Sequence, residues 1–420
     1  MPSPEIMNNK EIDGSKATNE ARRPSVLMLS PFFHPEKIST GKYNTFLARQ
    51  LARDAGSVRV LASHPLYPDW QPLKSDAGLA GVTIMRGGAR VRYPQAPLLR
   101  RAVLELWYGW FVCSRYIRIR RSADIIVPVF PPSLFFFLMS PLLPSASRSV
   151  GLVHDLQGVY AGHSTKLGGR LVHKLIHFIE KRCFSACDSL IFLSKTMQER
   201  AVSEYDLNRS RCAVCYPFVA LDHATVDSGS ALKDLFDADK ISVVYSGALG
   251  DKQNPDGLYA FFQALLARQR DVECHVFSAG PHYERIRTLA DTAGSAIRFH
   301  ALVDGKHLDE LYARSDIQII PQASGTSEGS LPSKLPNLMA AGVPVFVISD
   351  FGSELASLVK QARAGHAAFV WDAAKLVDEF EHLRSLLKKE PREARRKRLR
   401  HFVETHFSVQ NVVDEILRHR

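Results

Sequence analysis

From Ser25 onward, short aliphatic and β-branched runs alternate with segments of helical period, and this alternation constrains the fold more than any other feature. Extended runs fall at residues 26–30, 58–62, 82–85, 125–127, 149–153 and 189–193. Between them, residues 43–54 place Phe46, Leu47 and Leu51 on one helical face, and 97–121 form a long amphipathic segment carrying Trp107, Trp110 and Phe111. Strand–helix–strand order of this kind is met by parallel sheets covered by helices on both faces. The pattern lapses over 216–240, where Pro217 and a polar stretch at 222–230 intervene. It restarts at 241–246 and continues through strands at 272–277, 297–300, 316–320 and 344–348. The chain is therefore expected to be α/β, with two Rossmann-like domains, over 25–218 and 240–395, facing a central cleft. Residues 1–24, polar and of mixed charge, are expected to be a disordered tail. A last helix at 409–418, within a segment spanning 403–420, should pack back on the first domain. Ligands bind between such domains where strand ends and helix starts face the cleft.

Bulk properties agree with that architecture. A chain of 420 residues can bury two or three cores, and 45% hydrophobic with 23% charged residues is ordinary for a folded domain. The formal charge of +11 is clustered, first in Arg100, Arg101, Arg115, Arg118, Arg120 and Arg121, then in Lys388, Lys389 and the run from Arg392 to Arg400. Such groups are either solvated helix faces or points of attraction for anionic lipid or a phosphorylated substrate. No reader motif accompanies them, so nucleic acid is not an expected partner. Six dispersed cysteines and no apolar leader suggest reduced thiols and a cytoplasmic setting. The most apolar run, 127–143, is broken by Pro128, Pro131, Pro132 and Pro141 and is shorter than the roughly 20 residues of a spanning helix. A buried helix is expected there, with a shallow membrane-resting surface as the alternative.

Polar chemistry collects at the βα junctions. The first, 30–43, lacks both G-x-G-x-x-G and G-x-x-x-x-G-K-[ST], which argues against a nicotinamide or P-loop site, although Gly41 at a helix start still allows close backbone approach. His154 and Asp155 follow a strand at a position facing the cleft, where they can orient a ligand hydroxyl or serve merely as a satisfied His and a helix cap. Gly247, Gly250, Lys252 and Gln253 lie between a strand and a helix start and suit a phosphate cradle; the alternative is a surface loop with a solvated lysine. The fourth junction runs from Glu328 through Ser333 and Lys334 to a short helix ended by Gly342. Ser333 reads as a natural N-cap and Lys334 as a mobile positive charge at the cleft mouth. Together Lys252 and Lys334 would put two cations on one diphosphate.

No metal or cofactor is expected. His173 and His177 are spaced as in a zinc-binding helix, but Lys174 stands where the catalytic Glu would be. Cys183, Cys187, Cys212 and Cys215 have poor zinc spacing, and the second pair would point to opposite faces of a strand. Asp237-Ala238-Asp239 precedes a strand on the side away from the cleft.

Several segments together carry a resemblance: Pro35-Glu36 with Thr40-Gly41-Lys42-Tyr43, the run His64-Pro65-Leu66-Tyr67-Pro68-Asp69-Trp70, and His154-Asp155. They are joined by Gly247 with Lys252-Gln253, Ala279-Gly280-Pro281, and Pro332-Ser333-Lys334-Leu335 with Asn337 and Ala341-Gly342. The chain resembles the GT-B glycosyltransferases of family four, in the branch that includes colanic-acid and O-antigen biosynthesis enzymes. The resemblance implies retaining, metal-independent hexosyl transfer from a UDP- or GDP-linked sugar to a glycan or lipid-linked acceptor in surface polysaccharide assembly. It implies donor binding by the second domain and acceptor binding by the first, with the basic patches as candidate contacts for the inner face of the cell membrane. Gly41 would lie near the donor diphosphate and sugar, Lys252 would contact the diphosphate beside Gly247 and Gln253, and Ser333 and Lys334 would support phosphate binding. The wider family has a Glu-x7-Glu signature whose second Glu holds the ribose. Here Asn337 takes that position and Gly329 the first, so Glu328 either meets the donor sugar through a shifted loop or faces solvent. Because fold does not fix reaction, a nucleotide-sugar epimerase and a non-catalytic membrane scaffold are the alternatives.

Overall fold

The computed structural model describes residues 23–36, 38–67, 69–119, 123–157, 167–218, 231–327 and 331–418. Most of the tail expected at 1–24 lies outside these, as does Glu328. The N-terminal half runs β1 (Ser25–Leu29), α1 (Ser39–Asp54), β2 (Ser57–Ser63), β3 (Val82–Gly87), α2 (Pro97–Ile119), β4 (Ile125–Phe130), α3 (Leu134–Met139), β5 (Arg148–Val153), α4 (Leu167–Ala186), β6 (Ser189–Phe192), α5 (Lys195–Tyr205) and β7 (Cys212–Val214). The second half runs β8 (Ile241–Ser246), α6 (Pro255–Arg268), β9 (Val272–Ser278), α7 (Pro281–Thr292), β10 (Arg298–Ala301), α8 (Leu308–Arg314), β11 (Ile317–Pro321), α9 (Lys334–Ala341), β12 (Val345–Ile348), α10 (Glu354–Ala362), β13 (Gly365–Ala368) and α11 (Ala373–Leu387). Two further helices, α12 (Arg392–His406) and α13 (Val409–Leu417), end the chain.

The strands form a 7-stranded sheet ordered β3-β2-β1-β4-β5-β6-β7 and a 6-stranded sheet ordered β10-β9-β8-β11-β12-β13. Neighbours in both sheets pair parallel, as in the registers Val26 with Ile125 and Ile317 with Val243. Helices cover both faces, so strands such as β4 and β9 are buried along their whole length. Leu47 and Leu51 of α1 pack on one face of the first sheet, and Tyr108 and Phe111 of α2 on the other. Val412, Val413 and Ile416 of α13 are fully buried in the first domain's core, while Gln410 bonds Gln50 and Asp54. The chain therefore closes back on its first domain, as expected.

Some expectations need correction. The run 127–143 is not one buried helix. Its first residues belong to β4, the Pro131-Pro132 pair ends that strand, and the short α3 with a 3-10 turn at Ser140–Leu142 follows. The α3 start is held by Glu105, whose Oε2 accepts from the Ser133 and Leu134 amides at 3.0 and 2.9 Å. α1 begins at Ser39, four residues before the expected start at Tyr43, so Gly41 lies inside its first turn. β7 lies at the strand read for the second cysteine pair, whereas β13 was not anticipated, because a Gly-His-Ala-Ala run carries little strand signal.

Three arginines of the second basic run are structural. Arg392 of α12 donates to the Ala313 carbonyl at the end of α8, and Arg400 to that of Ala340 at the end of α9. Arg398 donates to the Ala362 and Arg363 carbonyls at the end of α10, and pairs with Glu390. The last carbonyls of a helix lack partners within it and carry the negative end of its dipole, so guanidinium groups are suited to them. One basic helix thus closes three others.

Candidate active site

Each sheet order reverses once, between β1 and β4 and between β8 and β11, and such switch points open a crevice at the carboxyl ends of the strands. The two crevices face each other across a cleft of about 930 Å³. Phe32, Ile38–Thr40 at the start of α1, Pro131, Pro132, His154 and Asp155 line it from the first domain. Tyr245 to Ala248, Lys252, Gln253, Gln322, Ser333 and Lys334 line it from the second. An apolar slot of Phe277, Leu302, Val303, Leu311 and Tyr312 continues from the second wall.

Lys334 opens α9 and reaches into the second switch point. The β8–β11 pairing extends only through Ile317–Val243 and Gln318–Val244, after which the strands separate. The Lys334 Nζ enters that gap, donating to the carbonyls of Ser246 at 3.2 Å and Ile319 at 2.9 Å beneath the Tyr245 ring, 4.6 Å from its centroid. The residue is partly open to the cleft, but its ammonium is enclosed, and burial pulls its pKa down to about 7. It is a positioned cation, not the mobile one expected, because two carbonyls freed by the splay hold it.

Across the cleft, the His154 ring packs edge-on against Tyr43 at 4.8 Å between centroids. Burial pushes its pKa to about 4, so the ring is neutral near pH 7, and its buried Nε2 has no hydrogen-bond partner among the described residues. Asp155 is open to the cleft, and desolvation by the surrounding walls raises its carboxyl pKa. The Leu156 amide, donating at 2.9 Å, and then the charges of Lys252 and Arg101 act in the opposite direction. An unsatisfied neutral imidazole beside an available carboxyl can bind hydroxyls; neither group is arranged as a metal ligand. Among the described residues, no group of three or more His, Cys, Asp or Glu could hold a metal ion.

The remaining expected residues sort unequally. Gly247, at φ 134°, keeps its loop turning at the mouth, with open space around a built Cβ. Gln253 lines the cleft, but its Oε1 is committed to the Gly250 amide at 3.0 Å. Ser333 stands at the N-cap position of α9 with helical backbone angles, and its side chain makes no capping bond, leaving the hydroxyl to the cleft. Asn337 lies one turn further along α9, half-buried and outside the cleft lining. Gly41 also stays outside that lining. A Cβ there would meet the Glu36 Cβ at 2.7 Å, so the glycine makes room for Glu36, whose carboxylate takes the Leu66 and Tyr67 amides. The Pro35-Glu36 and His64–Trp70 segments are therefore tied together as scaffold around the α1 start. Of the four cysteines weighed for zinc, Cys212 packs in one face's core and Cys215 in the other's.

Sequence reasoning missed two contributors and read a third, Arg100 with Arg101, only as part of a basic group. Arg100 lies over the Trp70 ring at 4.4 Å, and Arg101 bonds Gln157, putting guanidinium groups on the first domain's wall. The apolar slot escaped notice because its residues come from three separate elements. Asp350 accepts from the amides of Gly325 and Ser327, tethering the loop that leads towards Lys334. Its signal, an acid just after a strand, was visible but unspecific.

Comparison with known proteins fits this geometry. Residues 40–223 match the family described as Glycosyltransferase Family 4, and residues 232–401 match Glycosyl transferases group 1. The chain belongs to the GT-B glycosyltransferases. It is 26% identical over 358 residues to the Escherichia coli (strain K12) protein named for colanic acid biosynthesis, the glycosyl transferase WcaI, covering 79% of this chain and 85% of that one. Its fold is similar to that of WaaG, described as a glycosyltransferase involved in lipopolysaccharide biosynthesis, at 14% identity and TM-score 0.67 over 94% of this chain and 100% of that one. It is also similar to Anabaena Alr3699/HepE in complex with UDP, at 12% identity and TM-score 0.61, over 93% of this chain and 98% of that one.

Proposed function

We propose that the cleft transfers a sugar from a UDP- or GDP-linked donor to a hydroxyl of a glycan or lipid-linked acceptor in surface polysaccharide assembly. Transfer proceeds with retention of anomeric configuration and without a bound metal. The observation that carries this reading is the enclosed Lys334 ammonium at the second switch point, on the same wall as Lys252. Opposite stand the start of α1, which has no side-chain cap, and the His154 ring, whose buried Nε2 has no hydrogen-bond partner among the described residues. The names of WcaI and WaaG and the UDP bound by HepE support the choice of donor and pathway.

In this mechanism the acceptor hydroxyl attacks the anomeric carbon on the face from which the diphosphate departs. The bond from the anomeric carbon to the phosphate oxygen breaks, and a donor phosphate oxygen takes the acceptor proton. Negative charge grows on the leaving group, where Lys252, Lys334 and the helix start stabilise it. His154 and Asp155 orient sugar hydroxyls, and the apolar slot takes the base. Lys252→Ala should lower turnover by about 10²-fold, the scale of losing one preorganised donor, without lowering the melting temperature. A thermal-shift panel of UDP, GDP and their sugars identifies the donor. Wild-type transfer by Lys252→Ala, or a panel in which no nucleotide stabilises the protein, would sink the proposal; an inverted anomer by NMR would remove retention.

A further inference from the structure

We propose that the first domain's wall of the cleft is a subsite for an uncharged pyranose of the acceptor, and that no acceptor phosphate or carboxylate rests on it. Its role as an acceptor site rests on the transferase reading. Charge divides the two walls. Among the described residues, Lys252 and Lys334 are the charged groups lining the second domain's side, and no acid opposes them. The first domain's side sets Arg100 and Arg101 against Glu105 and Asp155, so its formal charges cancel. A wall with two cations and no acid is matched by a diphosphate, whereas a balanced wall is matched by a ligand without net charge.

The balanced groups are also held in place. The Glu105 Oε2 accepts from the Ser133 and Leu134 amides, which leaves Oε1 on the side of Arg101, 4.0 Å from that residue's Nε. Burial raises the Glu105 pKa, while the Leu134 amide, the Arg101 charge and the Ser133 amide favour its carboxylate form. Arg101 also donates to the Gln157 side-chain oxygen. The Gln157 main-chain N–H donates at 3.2 Å to the buried Glu180, which takes the Tyr205 hydroxyl as well. A carboxylate, a guanidinium and a carboxamide thus stand side by side as oriented planes. Each can engage two neighbouring ring hydroxyls at once, and a ligand lacking them leaves these groups unpaired.

An aromatic platform adjoins them. Trp70 lines the cleft at φ 55°, in the left-handed region that a bulky residue keeps only when its surroundings impose it. Phe32 and Tyr93 meet its ring edge-on at 6.1 and 5.8 Å, and the Arg100 guanidinium lies over it at 4.4 Å. The faces of a pyranose are C–H and its rim is hydroxyl, so an aromatic ring beside planar polar groups suits both. A phosphate or uronate on this wall would meet Glu105 and Asp155, whose repulsion offsets the attraction of the two arginines. The pyranose can belong to a free glycan end or to a carrier-linked sugar. In either case the charged part of the acceptor lies off this wall.

The test is an NMR titration of the full chain with methyl glucoside, galactoside and mannoside, and with methyl glucuronide and glucose 6-phosphate as the anions. Wild type should bind at least one neutral hexoside about tenfold more tightly than either anion. Glu105→Gln removes a negative charge but keeps an oxygen for the α3 amides. It should weaken the neutral hexoside about tenfold and the anions less, moving their ratio towards the anion. Trp70→Ala should weaken all of these sugars alike. Both variants should keep the wild-type melting temperature and nucleotide-induced shift. Three results overturn the inference: tighter binding of an anion by wild type, no binding of any hexoside, or a hexoside-to-anion ratio that Glu105→Gln leaves unchanged. Transfer to a polyprenyl diphosphate-linked hexose that neither variant slows would place recognition on the carrier and overturn it too. Nucleotide shifts without hexoside binding remove this inference alone, whereas hexoside binding without any nucleotide shift keeps the sugar site and removes the transferase reading.

Discussion

Lys334 shows how one residue's chemistry depends on strands far from it in sequence. The free side chain of a lysine holds its proton to about pH 10.4, but enclosure of this ammonium lowers that to about 7. A bound diphosphate favours the charged form and raises the value again. Below pH 7 the empty cleft already presents a cation; above it, binding must bring a proton. Affinity for a sugar nucleotide, whose diphosphate has no proton to lose in this range, should therefore fall as pH rises from 7 to 9, by up to about tenfold per unit. Calorimetry in buffers of different ionisation enthalpy should record proton uptake at pH 8 for wild type and none for Lys334→Met. An affinity that stays flat over that range would mean the ammonium keeps its charge in the empty cleft. The sequence showed Lys334 to be beside a helix start and Gly41 to be in one. Only the neighbours revealed that the first is caged by carbonyls and the second makes room for Glu36.

At the scale of elements, α12 explains why a basic run could not be read from its charges alone. A string of arginines has no direction in sequence, and the carbonyls they bind lie 35 to 79 residues earlier. Arg398→Met removes partners from the Ala362 and Arg363 carbonyls and from Glu390 together. It should destabilise the second domain by about 1–3 kcal/mol, the cost of leaving such groups unpaired. The exposed Lys389→Met should stay within about 0.5 kcal/mol. Denaturation midpoints compare the two, and equal losses would mean that Arg398 contributes only charge. By contrast, the strands and long helices were legible in advance, since both sheets bury both faces and their apolar runs are local signals.

At the scale of the molecule, the domains touch through a carboxylate. Glu354, in the first turn of α10, accepts from the Lys195 and Thr196 amides at 2.6 and 2.9 Å, at the free end of the first domain's α5. An acid at a helix N-terminus is worth about 1 kcal/mol, enough to bias a two-domain arrangement without locking it. Glu354→Ala should raise the radius of gyration of the unliganded protein in small-angle scattering and raise the donor KM severalfold, with kcat little changed. Scattering identical to wild type would assign the contact a purely local role.

The sequence by itself determined two parallel α/β domains, the returning C-terminal helix and the family, because apolar period and short motifs are properties of neighbouring residues. It also pointed to the junctions where the cleft would be lined. Tertiary structure alone decided which side chains reach that cleft and in what state. The gap between β8 and β11 places the Lys334 ammonium, the burial of His154 leaves it neutral, and α12 commits three arginines of one basic run to the ends of other helices. Each of these outcomes depends on which distant backbone happens to lie alongside, and no local pattern carries that information.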